Sequence, residues 1–373
     1  MHYILTIATA LIIYFLQAAF YRKYWDQNLH VAVTYSKHYA HIGETVELTE
    51  QIENRKLLPL PVLYVKFHSS RTFQYQSSEN SSLSDYYYRN DIFSILGNQQ
   101  ITRKQLFRTT KRGYFEIDSV NLVAHDLFMR KTYASIQDNH AGLYVYPTPL
   151  RDRQSLTLTS SIMGELTRKT LYEDPLSFRG LREYTSRDGM HYINWKATAK
   201  NQQLMVNTYF DVQNSEVVLL LNLDTNTMQR SDELQEYLIR VAVTLLYQMH
   251  QRGLAVKLAI NLENSPTGQH IVTELGTGDE HFHHLLQILA GLNLSAELTD
   301  YLSFFTGTDS VFWGSSKNTT YLIISNYRKE SLLHAYREKK ENGYHMLFIC
   351  PEYLTRFSPV TDVRLWEVAA DEI

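Results

Sequence analysis

The sequence predicts an α/β plus all-β chain: an N-terminal transmembrane helix, a β-sandwich-like domain, a linking segment and a doubly wound α/β domain. Three observations predict it. An uncharged apolar run opens the chain, short alternating segments fill its first half, and apolar strands alternate with amphipathic helices in its second. The expected boundaries are 1–25, 26–150, 151–211 and 212–373. At 373 residues the chain can bury two or three cores, and 44% hydrophobic with 20% charged residues is an ordered, globular composition. A net charge of −3 supplies no chain-wide basic field, so nucleic acid is not an expected partner.

Residues 3–21, YILTIATALIIYFLQAAFY, carry no charged side chain. As a helix they reach roughly 28 Å, close to the hydrocarbon thickness of a bilayer. Arg22, Lys23, Tyr24 and Trp25 follow as basic and aromatic anchors for one interface. A cleaved signal peptide carries its positive charge before the apolar run, whereas here it comes after. The expectation is a single-pass membrane protein with its soluble domains in the cytoplasm. A secreted or adhesin-like protein is the alternative. The lone cysteine, Cys350, forms no internal disulfide and reads as a buried thiol ending the strand YHMLFIC.

Residues 29–67 alternate apolar and polar side chains, with turns at Ile42-Gly43-Glu44 and Glu53-Asn54-Arg55 and strand entry marked by Pro59 and Pro61. Further strand-like runs cover 105–128 and 142–147, with a turn at Arg112-Gly113, and the 27 tyrosines favour β structure. Several short strands at this spacing predict a sandwich. The polar, Ser-rich segment 76–100 is expected to be a long loop or insertion.

From residue 216 the pattern changes. EVVLLLNL is continuously apolar, as a strand buried on both faces requires. The helix after it places Leu234, Leu238, Val241, Leu245 and Met249 on one stripe, with Asp232 near its start and Gly253 at its end. Strands LAVKLAI, TYLIIS, YHMLFIC and RLWEVA alternate with helices EHFHHLLQILAGL and KESLLHAYREKKENG, which predicts a doubly wound, Rossmann-type parallel sheet. Ligands of such sheets lie at the carboxyl ends of the strands, and there the first loop reads Asp224-Thr225-Asn226-Thr227-Met228. This opening resembles the von Willebrand factor A-type domain, whose metal motif is Asp-x-Ser-x-Ser. Asp224 matches, Asn226 stands for the first serine, Met228 for the second, and Ser325-Asn326 stands where the fold has a later Asp. Asp224 and Asn226 are the candidate metal residues of a degenerate site. A thioether is a poor ligand for Mg²⁺, the one candidate ion, and no cofactor is expected. His281, His283 and His284 read as packing or surface residues, and no catalytic spacing is present elsewhere.

The linking segment holds the densest polar and aromatic run, residues 174–210. Asp188 is the expected N-cap of a helix over 190–200 with Met190, Ile193 and Ala197 on one face, and a strand follows near 203–210. Arg179, Arg182 and Arg187 against Glu183 and Asp188 allow partly buried ion pairs, and Trp195 brings an N–H that needs a partner. The segment resembles the signature of the bacterial domain-of-unknown-function family 58. Gly180, Leu181, Arg182, Glu183, Tyr184, Asp188, Ile193, Trp195, Lys196, Ala199, Leu204 and Val206 match. Arg187, His191, Asn194 and Lys200 depart from the family's Gly, Arg, Asp and Arg. The departures favour a structural brace between domains over a ligand site. The resemblance implies a membrane-associated accessory protein, commonly encoded beside MoxR-type AAA+ ATPases and other A-domain proteins. With the anchor, the degenerate metal motif and the lack of catalytic spacing, the expectation is a non-enzymatic scaffold or adaptor whose partner is such an ATPase, in envelope-related assembly. A metal-assisted hydrolase using Asp224, Asp188 and His191 is the enzymatic alternative.

Overall fold

The computed structural model describes residues 2–75, 81–83, 87–170, 173–185, 189–190, 193–211, 216–225, 231–264, 269–296, 298, 300–306, 313, 319–327, 329–352 and 363–367. The chain divides into two compact units, Met1–Pro147 with Leu286–Leu292, and Thr148–Leu285 with Asn293–Ile373.

The first unit begins with helix α1 (His2–Tyr24), long and apolar enough to cross a membrane. Ten strands follow: β1 (Leu29–Tyr35), β2 (Tyr39–His41), β3 (Thr45–Asn54), β4 (Leu60–Ser69), β5 (Phe73–Tyr75), β6 (Ser81–Leu83), β7 (Tyr87–Ile95), β8 (Gln99–Thr109), β9 (Gly113–His125) and β10 (Thr132–Tyr146). They form two sheets, β1-β3-β8-β5 and β2-β10-β9-β4-β7-β6, antiparallel except for β2 beside β10. Alternate residues of both sheets, among them Val33, Leu48, Phe107, Val65, Leu122 and Leu143, share one apolar core, so the N-terminal region is β-sandwich-like. Pro61 stands at the entry of β4, where the register with β7 shifts.

Helix α1 is part of this core. Tyr21 and Trp25 are buried in it, the Tyr21 hydroxyl donates to the Pro59 carbonyl at 2.6 Å, and Trp25 stacks on Tyr133. Trp25 is therefore a core residue, not the interfacial anchor that its position after the apolar run suggests.

The expected loop over 76–100 is corrected by β6, β7 and the start of β8; residues 76–80 and 84–86 lie outside the described ones. Strand β7 escapes the alternation rule because two of its inward positions are charged. Arg89 and Asp91 are fully buried and bonded at 3.1 Å. Arg103 reaches Asp91 at 2.8 Å, Gln105 donates to Glu50 at 3.2 Å, and the Arg89 guanidinium lies 4.6 Å from the Tyr75 ring centre. Glu50 is completely buried, and its carboxyl is pushed up to about 8 by desolvation and then by the charge of Asp91.

The second unit holds α2 (Arg153–Thr170), β11 (Glu173–Glu183), α3 (Trp195–Asn201), β12 (Met205–Asp211), β13 (Glu216–Leu221), α4 (Ser231–Gln251), β14 (Ala255–Asn264), β15 (Gln269–Val272), the start of α5 (Gly278–Gly291, assigned to the first unit from Leu286 on), α6 (Tyr301–Thr306), β16 (Thr319–Ile324), α7 (Glu330–Glu341), β17 (His345–Glu352) and β18 (Val363–Glu367). Its main sheet runs β15-β14-β13-β16-β17-β18, parallel throughout except for the edge hairpin strand β15, which the apolar pattern did not reveal. Val218 and Leu220 join a cluster with α6 and α7, while the intervening Val217, Leu219 and Leu221 are buried on the opposite face. Strand β13 is thus covered on both sides, as its unbroken apolar run requires. The α4 stripe of Leu234, Leu238, Val241, Leu245 and Met249 is wholly buried, and Gly253 ends it at a φ of 65°. Cys350 is buried and forms no disulfide.

The buried Glu50 carboxyl makes the first unit pH-sensitive. Its proton is held more tightly in the folded chain than at the ordinary value of 4.5, so its contribution is complete below that pH. The contribution is then lost as the pH rises to about 8. Thermal denaturation of the full chain in detergent should show falling stability across that window, and Glu50→Gln should flatten the slope. An unchanged slope in the variant would assign the dependence to other groups.

Candidate functional site

The family-like signature folds as a two-stranded ribbon with a short helix strapped to it. Strands β11 and β12 pair antiparallel, with Gly180 opposite Thr208, Leu181 opposite Asn207, Arg182 opposite Val206 and Glu183 opposite Met205. The Tyr184 amide continues the ladder to the Leu204 carbonyl at 2.8 Å. The expected helix over 190–200 is shorter: it starts at Trp195, and Ile193 instead bridges to Val206. Asn194, extended at φ −87°, is the N-cap; its Oδ1 accepts the Ala197 amide at 2.9 Å and its Nδ2 donates to Asn207 Oδ1 at 2.8 Å. An Asp at 194 would cap the helix as well but would have no N–H for Asn207. The Met205 amide donates to Thr198 Oγ1 at 3.0 Å, which closes the strap from the other side.

These bonds are made by backbone and short polar groups, and the conspicuous side chains point to solvent. Leu181 (42%), Met190 (77%), Trp195 (67%) and Leu204 (43%) are exposed, as are Arg182, Glu183 and Lys196. The expected partly buried ion pair does not form between Arg182 and Glu183; Arg182 Nη1 donates to the Glu183 carbonyl at 3.1 Å instead. Arg187, Asp188 and His191 lie outside the described residues. The described part of the signature therefore braces itself through its backbone and offers its large side chains outward.

At the carboxyl ends of β13, β14 and β16 a second polar group assembles. Asn222, Asn261 and Ser325 are fully buried. Asn222 Nδ2 donates to Ser325 Oγ, and Asn261 Nδ2 donates to Asn222 Oδ1, both at 2.8 Å. Asn222 Oδ1 also accepts the Asp224 amide at 2.9 Å, and Asn261 Oδ1 accepts the Leu223 amide at 2.8 Å. Gln235 on α4 donates to the Leu223 carbonyl at 2.8 Å, so the chain leaving β13 is held from three elements. Asp224 follows this clamp, half-buried. Desolvation raises its carboxyl above the usual range, Lys329 acts against that shift, and Asp300 adds to it.

Two of the candidate donors near this loop are engaged within the protein. Ser325 Oγ is occupied by Asn222 and by the Tyr327 amide, and Asn326 Nδ2 donates to the Pro351 carbonyl at 3.3 Å. Asn226 and Met228 lie outside the described residues, and among the described residues no group of three or more His, Cys, Asp or Glu converges. His281 is a packing residue: its Nε2 lies 2.8 Å from the Val256 carbonyl, and its ring passes so close to Gly276 that any Cβ there would meet it at 2.6 Å. His283 is half-buried and His284 exposed on α5.

An apolar N-terminal helix, a β-sandwich-like unit and a mixed α/β unit carrying this ribbon define the class of protein. Residues 180–339 match the family described as "Protein of unknown function DUF58". No curated protein matches the chain. Among solved structures, a non-cellulosomal cohesin from Archaeoglobus fulgidus is 11% identical, covers 34% of this chain and 96% of its own, and has a TM-score of 0.21. The seventh ScaB type I cohesin of Pseudobacteroides cellulosolvens is 14% identical over 34% of this chain and 97% of its own, with a TM-score of 0.20. Part of Escherichia coli alpha-2-macroglobulin is 16% identical over 32% of this chain and 17% of its own, with a TM-score of 0.24.

Removing Asn222 strands several buried donors at once, each costing about 1–3 kcal/mol. Asn222→Ala should lower stability in urea by at least about 2 kcal/mol, while Asp224→Ala should change it far less. Equal effects of the two would show that the clamp does not hold the loop.

Proposed function

We propose that this chain is a membrane-anchored, non-enzymatic scaffold or adaptor of the DUF58 family, with its soluble units on the cytoplasmic side. Its partner is a MoxR-type AAA+ ATPase, alongside other A-domain proteins, in envelope-related assembly. The observation that carries the reading is the outward face of the signature ribbon. Leu181, Met190, Trp195 and Leu204 are exposed beside Arg182, Glu183 and Lys196, the mixture of apolar anchors and charged groups that protein interfaces use. The doubly wound order of the main sheet, with Asp224 just after its first strand, supports the A-type reading of the second unit. Affinity capture of the full chain from detergent-solubilised membranes, with and without nucleotide, should recover an AAA+ ATPase. Trp195→Ala should abolish that recovery and leave thermal stability unchanged. Capture with no AAA+ protein in either state would sink the proposal.

The rival reading is a metal-dependent hydrolase, favoured by the half-buried carboxyl of Asp224 with Asp300 acting on it. Elemental analysis of the full chain after dialysis against Mg²⁺, Mn²⁺ or Zn²⁺ separates the two. The scaffold reading expects no stoichiometric metal; one equivalent that disappears in Asp224→Ala would replace it with the enzyme.

A further inference from the structure

Helix α1 emerges from one end of the sandwich, and the strand register places three turns at that same end. Leu29 pairs with Asn54 and Asn54 with Gln99, Leu60 pairs with Ile95, and Leu63 with Ala124. The turns between β3 and β4, β7 and β8, and β9 and β10 therefore surround the helix exit. The first two are tied to each other: Asn54 Nδ2 donates to the Leu58 and Leu96 carbonyls at 2.9 Å, and the Asn98 amide to the Lys56 carbonyl at 2.9 Å.

Each turn exposes large apolar side chains. Leu57 is 85% exposed, Leu96 65%, Leu127 50%, Phe128 54% and Met129 61%. The last three share one rigid tip, where the buried Asp126 carboxylate accepts the amides of Arg130 and Lys131 at 2.8 and 3.3 Å. Water is a costly neighbour for such a patch. Exposed basic residues flank it: Arg22 and Lys23 in the last turn of α1, and Arg130 and Lys131 at the tip, while Arg55 is paired with Glu53 at 2.7 Å.

Helix geometry supplies a second argument. The α1 residues Tyr14, Gln17, Ala18, Tyr21 and Tyr24 face the sandwich, with Tyr14 in ring contact with Phe128 at 5.9 Å. Tyr133 donates to the Ala18 carbonyl at 3.2 Å. Tyr14 lies within the uncharged run 3–21 and touches Phe128 at the tip between β9 and β10. A bilayer that holds this run therefore reaches the tip beside Tyr14 as well. Phe20, 53% exposed on the opposite face of α1, is apolar as that depth requires.

We propose that the helix-proximal end of the sandwich, through Leu57, Leu96, Leu127, Phe128 and Met129 with the basic residues around them, is a docking surface for the interface of an anionic phospholipid bilayer. The unit then stands on the membrane and does not swing from a tether. The inference rests on the anchor reading, and its test separates the two. The full chain carrying Cys350→Ala is reconstituted in phosphatidylcholine–phosphatidylglycerol vesicles, with single cysteines replacing Leu11, Leu57, Phe128 or Lys111. Each is labelled with an environment-sensitive fluorophore and challenged with lipids that carry a quencher on the acyl chain.

Labels at Leu11, Leu57 and Phe128 should lose emission, and the label at Lys111, at the opposite end of the sandwich, should not. Quenching at Leu11 with Leu57 and Phe128 as bright as Lys111 overturns the docking surface and leaves the anchor standing. Quenching at Leu57 and Phe128 but not Leu11 supports the surface and removes the spanning helix. Loss at none of the three overturns both. If the Phe128 label stays bright and cysteines at that position cross-link between copies, the patch is a self-association face and the proposal falls.

Discussion

A polar group taken out of water has to find its partner inside the protein, and that constraint shapes both units. In the sandwich it is met by Glu50, Arg89, Asp91 and Gln105, none more than 8% exposed, which pair across β3, β7 and β8. In the parallel sheet it is met by Asn222, Asn261 and Ser325. The two solutions differ in kind. The ionic cluster is costly to desolvate and holds Glu50 protonated at neutral pH, so its contribution follows the solution conditions. The amide network is neutral, with short bonds, and holds the β13 loop at any pH at which the sheet survives.

The same distinction explains what was legible in the sequence. Helix α4 and strands β13, β16 and β17 bury mainly apolar residues, so periodicity recovers them. Strand β7 was hidden because Arg89 and Asp91 occupy inward positions, which turns its alternation into the composition of a loop. Strand β11 was hidden because its pairing with β12 is interrupted by register shifts around Phe178, and because Leu181, Arg182 and Glu183 all face solvent. The start of α3 was misplaced because the expectation gave the cap to Asp188, whereas Asn194 closes it.

At the candidate site the sequence directed attention to the charged residue and away from the neutral ones beside it. Asp224 stands out in any reading of the β13 loop, yet the Asn222 side chain two positions earlier makes the bonds that position it. The signal was present: single asparagines interrupt the apolar runs VVLLLNL and KLAINL near the carboxyl ends of two strands. A lone amide in a strand buried on both faces needs a partner, and two such amides on adjacent parallel strands supply each other. The signature was legible as a motif but not as a shape, because its matches do not reveal which side chains the ribbon exposes.

Helix α1 carries the last step. Read as sequence, residues 1–25 are an anchor and a separate β-rich domain begins at 26. The structure makes the helix a structural member of the sandwich, since Ala18, Tyr21 and Trp25 are buried with the sheet residues and Tyr21 and Tyr133 bond across the boundary. A chain cut at residue 26 would lose two large aromatics from one core, and loss of a buried aromatic side chain costs about 3–5 kcal/mol. That is a large share of the stability of an ordinary domain. The sandwich and helix α1 therefore form one structural body, because the inner face of the helix is part of the sandwich core.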